Sequence, residues 1–202
     1  MTRVEWLTVG GAVEPWRQLG LVVDHDGMVP LFGTGIRIIG DATPGLRGWA
    51  LSGGETGASG DIDGLPTEHV PAPAPRFAEH PIGAIGLDHV VIVTDDLERT
   101  ALAIAAATGA PCKRIREVGD LRQGFHRIGS LVVEVVERSG LPVGPATFWG
   151  LVLNVEDLDV AVDQLGPDLI GSAKDAVQPG RSIATVRNSA GLGMPVALMT
   201  PG

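Results

Sequence analysis

A ten-residue pattern occurs twice in the second half of this chain, and no other feature limits the fold as much. His89-Val-Val-Ile-Val-Thr-Asp-Asp-Leu-Glu98 aligns without a gap on Gly150-Leu-Val-Leu-Asn-Val-Glu-Asp-Leu-Asp159, an offset of 61 residues. Self-similarity of this kind means that one supersecondary unit is used more than once. In each copy a short apolar run reads as a buried strand, and an acidic pair then opens a helix. Asp95 with Glu98 three residues on has the form of a capping box, and carboxylates suit the positive end of the helix dipole. The first helix places Leu97, Ala101, Ile104, Ala105 and Thr108 on one face and ends at Gly109. The second places Leu158, Ala161, Val162 and Leu165 likewise and ends at Gly166. These stripes are core-facing.

Strand-like stretches follow each helix, at 112–118, 122–128 and 131–137 in the first copy and at 169–174, 181–187 and 194–199 in the second. Gly119, Gly129, Gly180 and the segment 189–193 supply the turns. Each copy is therefore β-α-β-β-β, and the expectation is an α+β fold. Paired βαβββ modules are expected at 84–140 and 146–201, within a domain covering 84–202. Residues 1–54 carry a fainter version, with strands at 4–9, 28–31, 36–39 and 45–51 and a short helix at 12–19. Laying Glu5 on His89, an offset of 84, matches the pattern moderately. This segment reads as a reduced N-terminal module or as a plain αβ cap. Residues 55–83, rich in Gly, Pro and Ala and including Pro71-Ala-Pro-Ala-Pro75, read as a linker or extended crossover.

Composition narrows the function. A chain of 202 residues with 44% hydrophobic content has ample material for a packed core. A formal charge of −9 argues against a grip on nucleic acid or an anionic membrane, which needs clustered Lys and Arg. The one short basic stretch, Lys113, Arg114 and Arg116, reads as a solvated strand face. A lone cysteine, Cys112, excludes an internal disulfide and fits a reducing compartment; a half-buried strand residue is its plainest reading. No charged-then-apolar leader opens the chain, and no apolar run nears the roughly 20 residues of a membrane span, so a cytoplasmic location is expected. No strand runs into a phosphate-cradling glycine loop, which argues against nicotinamide or nucleoside triphosphate use.

The stretch Gly86-Leu-Asp-His-Val-Val-Ile-Val-Thr-Asp-Asp-Leu-Glu98 resembles the opening strand and helix cap of the vicinal oxygen chelate superfamily of glyoxalases, bleomycin resistance proteins and dioxygenases. The resemblance covers 84–201 well and 3–53 weakly. It implies two modules whose curved mixed sheets form a cleft, with a divalent metal held by one residue from the first strand and one from the last strand of each. His89 and Glu134, the latter in Ser130-Leu-Val-Val-Glu-Val-Val136, keep both positions of the first module. Gly150 and Ala197 occupy those of the second and have no donor side chain. The metal set is therefore incomplete, and no tightly held metal or other cofactor is expected, because a stable catalytic centre normally takes three protein ligands. His126, on the strand beside Glu134, is either a third donor or an ordinary strand histidine.

Without metal, Glu134 is a candidate base whose pKa apolar surroundings would raise, with His89 as polariser. In Gln178-Pro-Gly-Arg-Ser-Ile183, a turn presents Arg181 to the second half of the cleft, where it can anchor a carboxylate or phosphate, with Gln178 alongside; otherwise it is a solvated turn arginine. Trp149 and Phe148 flank Gly150 and either stack on a planar ligand or pack into the core. The resemblance implies a small-molecule-binding protein, a lyase or isomerase acting beside a carbonyl. The alternative is a non-catalytic protein that sequesters a drug or metabolite, and a third reading gives the N-terminal module an assembly role. An odd module count leaves one sheet unpartnered, so a homodimer through residues 3–53 is expected.

Overall fold

The computed structural model describes residues 1–40, 43–54, 57 and 59–202. The first part of the chain forms β1 (Arg3–Gly10), α1 (Glu14–Gln18), β2 (Met28–Val29), β3 (Gly35–Ile39), β4 (Gly45–Ser52), β5 (Ser59–Ile62) and β6 (Leu65–His69). The second forms β7 (Ala84–Thr94), α2 (Leu97–Thr108), β8 (Arg114–Val118), β9 (Leu121–Ile128) and β10 (Leu131–Arg138). It continues through β11 (Thr147–Val155), α3 (Leu158–Leu165), β12 (Lys174–Asp175), β13 (Ser182–Thr185) and β14 (Val196–Met199). The helix caps sit one residue later than the expected pair. Asp96 accepts from the Arg99 amide at 2.9 Å and Asp157 from the Val160 amide at 3.0 Å, while Asp95 takes the Arg99 guanidinium. Gly109 ends α2 in the left-handed region, φ 72°.

β7 to β14 make one eight-stranded sheet in the order β12-β13-β14-β11-β7-β10-β9-β8. Within each copy the first strand runs parallel to the last, β7 with β10 and β11 with β14, and the copies join by antiparallel pairing of β7 with β11. The two βαβββ modules read from the 61-residue repeat are present. Helices α2 and α3 cover one face, burying Val90, Ile92, Val133, Val135, Leu151 and Leu153. The other face is free of helices and carries the charged residues described below.

The N-terminal part differs from the expectation of a single reduced module. Its sheet runs β2-β3-β1-β4-β6-β5, with β1 parallel to β3, β4 parallel to β6, and β1 antiparallel to β4. This is the same plan with shorter units: β1-α1-β2-β3, then β4-β5-β6 with no helix between β4 and β5 among the described residues. β4 opens a second unit rather than closing the first, and the stretch expected as linker holds β5 and β6. Only 70–83 remains as a strap between the sheets. The module count is thus even, and the argument for a partner chain covering residues 3–53 loses its premise.

Register makes the correspondence residue by residue. In β7 against β11, Leu87 pairs Leu153 and His89 pairs Val152, leaving Asp88 as a bulge; in β1 against β4, Val4 pairs Leu51 and Trp6 pairs Ala50, leaving Glu5. A second bulge falls on Trp149 in β11 and on Arg47 in β4. His89 therefore corresponds to Trp6, not to Glu5; the sequence alignment was one residue out, a slip that exchanges the faces of a strand. By the same register Glu134 corresponds to Arg37, Asn154 to Ser52 and Gly150 to Gly48.

A single hydrophobic cluster runs through both sheets, from Val4, Leu7, Trp16 and Trp49 to Leu151 and Leu198. The turn between β5 and β6 adds a polar clamp, with Asp63, φ 53°, accepting from Arg99 Nε at 2.9 Å and from the Thr100 hydroxyl at 2.5 Å. The strap is pinned by His80. Its Nδ1 accepts from the Val22 amide at 3.0 Å, which leaves Nε2–H to donate to the Pro30 carbonyl at 2.8 Å.

Candidate functional site

Alternation along β7 would send Asp88 and His89 to opposite faces, but the bulge at Asp88 turns both toward the helix-free face. There His89 Nδ1 lies 2.7 Å from Asp88 Oδ2, and His89 Nε2 lies 3.6 Å from Glu134 Oε2. Glu134 reaches this face from β10, where it pairs with Val91. Gln123 Nε2 donates to Glu134 Oε1 at 2.7 Å. His89 and Glu134 side chains are 12% and 14% exposed, recessed yet open to a small molecule. The pair foreseen in the sequence is thus brought together.

Arg181 also faces this side but spends most of its donors on the protein. Nη2 donates to Asp88 Oδ1 at 2.6 Å and to Asn154 Oδ1 at 2.8 Å, and Nε donates to the Thr200 carbonyl at 2.8 Å. The result is a row, Glu134–His89–Asp88–Arg181. Burial pushes the Asp88 carboxyl up, but hydrogen bonds from His89 and Arg181 outweigh it and hold the pKa at about 2. Burial dominates at Glu134 and raises its pKa, against the opposing influence of His89 and Arg116.

The remaining sequence candidates are placed differently. His126 pairs with Val133 and so faces α2; it is fully buried, with Nδ1 2.9 Å from the Ala110 carbonyl. Adjacent strands put it and Glu134 on opposite faces, so it takes no part in this site. Gln178 lies in the exposed turn before Arg181. Trp149 is 49% exposed at its bulge, whereas Phe148 packs edge-on against Trp49 with ring centroids 5.4 Å apart. Sequence reasoning missed Asp88, because only the bulge brings it round, and it also missed a basic rim. Arg114, Arg116 and Arg127 share the face of Glu134 through their pairing with Phe125, Gln123 and Val132, and none is ion-paired among the described residues.

The donor set does not suit a divalent metal. Asp88 and Glu134 lie at opposite ends of the His89 ring and cannot meet at one ion, and no three metal-binding side chains converge among the described residues. Gly150 cannot be replaced by a donor, since a Cβ there would lie 2.5 Å from the Pro195 carbonyl oxygen. Two half-open cavities, of 740 and 540 Å³, lie along the strap and the N-terminal sheet, away from His89 and Glu134. The row itself lines an open sheet face.

No family model matches the chain, and no curated protein matches it in sequence. Among solved structures, a triple mutant of 4-hydroxymandelate synthase from Streptomyces coelicolor superposes with a TM-score of 0.69 at 14% identity, over 99% of this chain and 92% of that one. Methylmalonyl-CoA epimerase from Mycobacterium tuberculosis superposes with a TM-score of 0.51 at 15% identity, over 63% of this chain and 93% of that one.

Proposed function

We propose, from the premise that the chain has the vicinal oxygen chelate fold, that it binds a small anionic carbonyl compound and moves a proton at the adjacent carbon without metal. One observation carries this reading: a recessed Glu134 carboxyl stands 3.6 Å from the free end of an imidazole whose other end is tied to an ionised Asp88. Asp88 can only accept, so Nδ1 carries a proton and Nε2 is the end that exchanges. Glu134 and Nε2 then face each other across the site. Their gap is too long for a direct hydrogen bond, and a substrate lying across it would meet both groups.

The Glu134 carboxylate removes the proton beside the carbonyl, and protonated Nε2 donates a hydrogen bond to the developing enolate oxygen. Return of a proton to the carbon completes an isomerisation that consumes no co-reactant. Arg181 acts through Asp88, which it orients, and its Nη1 remains for a ligand oxygen. Arg114, Arg116 and Arg127 supply the positive field for the substrate's anionic group. Gln178 and Trp149 stand at the rim.

The test is proton exchange from solvent. In D2O, the protein should incorporate deuterium at the carbon beside the carbonyl in at least one member of a panel of 2-substituted acyl thioesters and hydroxyketones, methylmalonyl-CoA being the first to try. The Glu134→Gln variant should be slower by roughly 100-fold or more. The loss of both second-module donors, Gly150 and Ala197, favours the alternative of a sequestering protein. Binding without exchange throughout the panel would establish that alternative.

A further inference from the structure

The N-terminal sheet repeats the register of the C-terminal one, bulge for bulge, but fills the key positions with different chemistry. Where the second sheet has His89 and Glu134, the first has Trp6 and Arg37, with the Arg37 guanidinium carbon 5.7 Å from the Trp6 ring centroid. Where the second has Asp88 beside Asn154, the first has Glu5 bonded to the Ser52 hydroxyl. In the N-terminal sheet, however, the face is partly covered. The strap residues 72–77 overhang it and bound a half-open pocket of 540 Å³. Arg76 holds the strap down through Asp24 and Asp26, each at 2.9 Å, and His80 anchors the strap's far end.

We infer that this cavity is a second binding site, for a flat, apolar-bodied carboxylate. Three features specify the ligand. The volume lies within the roughly 300–1,000 Å³ typical of small-molecule sites. The walls are chiefly apolar, with Trp6, Met28, Pro73 and Pro75 facing inward, which suits a planar body. The charged equipment is unspent: Arg3 and Arg37 line the cavity without a carboxylate partner among the described residues, while the lining acids Glu5 and Asp26 are engaged by Ser52 and Arg76. The Trp6 indole Nε1 is also buried with no acceptor. That N–H sits behind the wall of the cavity, out of reach of a ligand oxygen, and serves as a reporter of occupancy beside it.

This site has no acid–base pair. Neither Trp6 nor Arg37 can take up or release a proton near neutral pH, so the cavity binds and does not catalyse. The inference stands apart from the proton-transfer reading of the other sheet and survives its failure.

The test uses the full chain with 2-naphthoate as probe and 2-naphthamide as its neutral control, followed through the indole N–H resonance of Trp6 and by calorimetry. The Trp6 resonance, identified by its absence in Trp6→Phe, should shift saturably with naphthoate and far less with the amide. Arg37→Gln, an exposed change that leaves the fold intact, should weaken naphthoate by about ten-fold or more. His89→Ala should leave the Trp6 response unchanged. Equal binding of acid and amide, a Trp6 resonance indifferent to millimolar naphthoate, or full affinity in Arg37→Gln would each overturn the proposal.

Discussion

The two sheets of this protein share a plan and differ in what they do with it. Both join paired units through central antiparallel strands, both carry bulges at the same two places, and both put a glycine, Gly48 or Gly150, in the same slot. One sheet uses the bulged carboxylate, Asp88, to hold a histidine against a glutamate on an open face. The other bonds its bulged carboxylate, Glu5, to a serine and sets an arginine over a tryptophan beside a half-open pocket. Backbone register fixes where chemistry can sit, and the side chains at those places give the two sheets different chemistry, an acid–base pair in one and a guanidinium over an indole in the other.

The sharpest break in that comparison is catalytic. Glu134→Gln should cost roughly 100-fold or more in solvent deuterium exchange, whereas Arg37→Gln at the matching position should leave the exchange rate of the same substrate unchanged. Equal losses would mean that the sheets are not functionally separate.

Next in size is a change that should affect both sheets alike. Adding a Cβ at Gly150 meets the Pro195 carbonyl oxygen at 2.5 Å, and at Gly48 the Pro66 carbonyl oxygen at 2.7 Å. Gly150→Ala and Gly48→Ala should each destabilise by about 3 kcal/mol in urea unfolding, the upper range for forcing atoms into a packed site. A harmless substitution at either would show that the two strand junctions are not equivalent.

A smaller difference separates the bulges. Asp88→Asn weakens the hydrogen bonds that bind His89 and Arg181 and should cost about 2 kcal/mol near neutral pH, against well under 1 kcal/mol for Glu5→Gln. Because the folded pKa of Asp88 is depressed, its contribution is complete above the unfolded value near pH 4 and fades as the pH falls toward 2. Glu134 acts in the opposite sense. Its folded pKa is raised, so what it contributes is present below the unfolded value and disappears as the pH climbs through the folded one. Unfolding curves of wild type and Asp88→Asn should therefore converge in acid, while Glu134→Gln should gain on wild type as the pH rises.

The smallest expected effect is at the rim. Arg116→Gln should raise KM several-fold with little change in kcat, as befits an exposed charge that attracts rather than reacts.

Much of the C-terminal sheet was legible because each unit opens with an apolar run followed by an acidic cap, and that grammar appears twice at fixed spacing. Among the described residues the N-terminal sheet has no helix between β4 and β5, so its second unit shows no such opening. β5 and β6, with Gly60, Asp61, Asp63, Gly64 and Pro66, look like loop to any reading based on apolar alternation. The His89–Glu134 pair could be read from position within a unit. Asp88 could not, because a bulge is set by pairing between distant strands and leaves no local mark. His126 takes the plainer of its two readings, a strand histidine rather than a donor, because its face depends on register with β10, where it lies opposite Val133.

The proline carbonyl behind Gly150 also bears on history. To acquire a metal ligand at that position, a lineage would need a side chain at 150 and, in the same step, a displaced backbone at 195. Neither change helps alone, and the first is harmful by itself. A four-ligand centre is therefore out of reach of this sequence by any series of single tolerated substitutions.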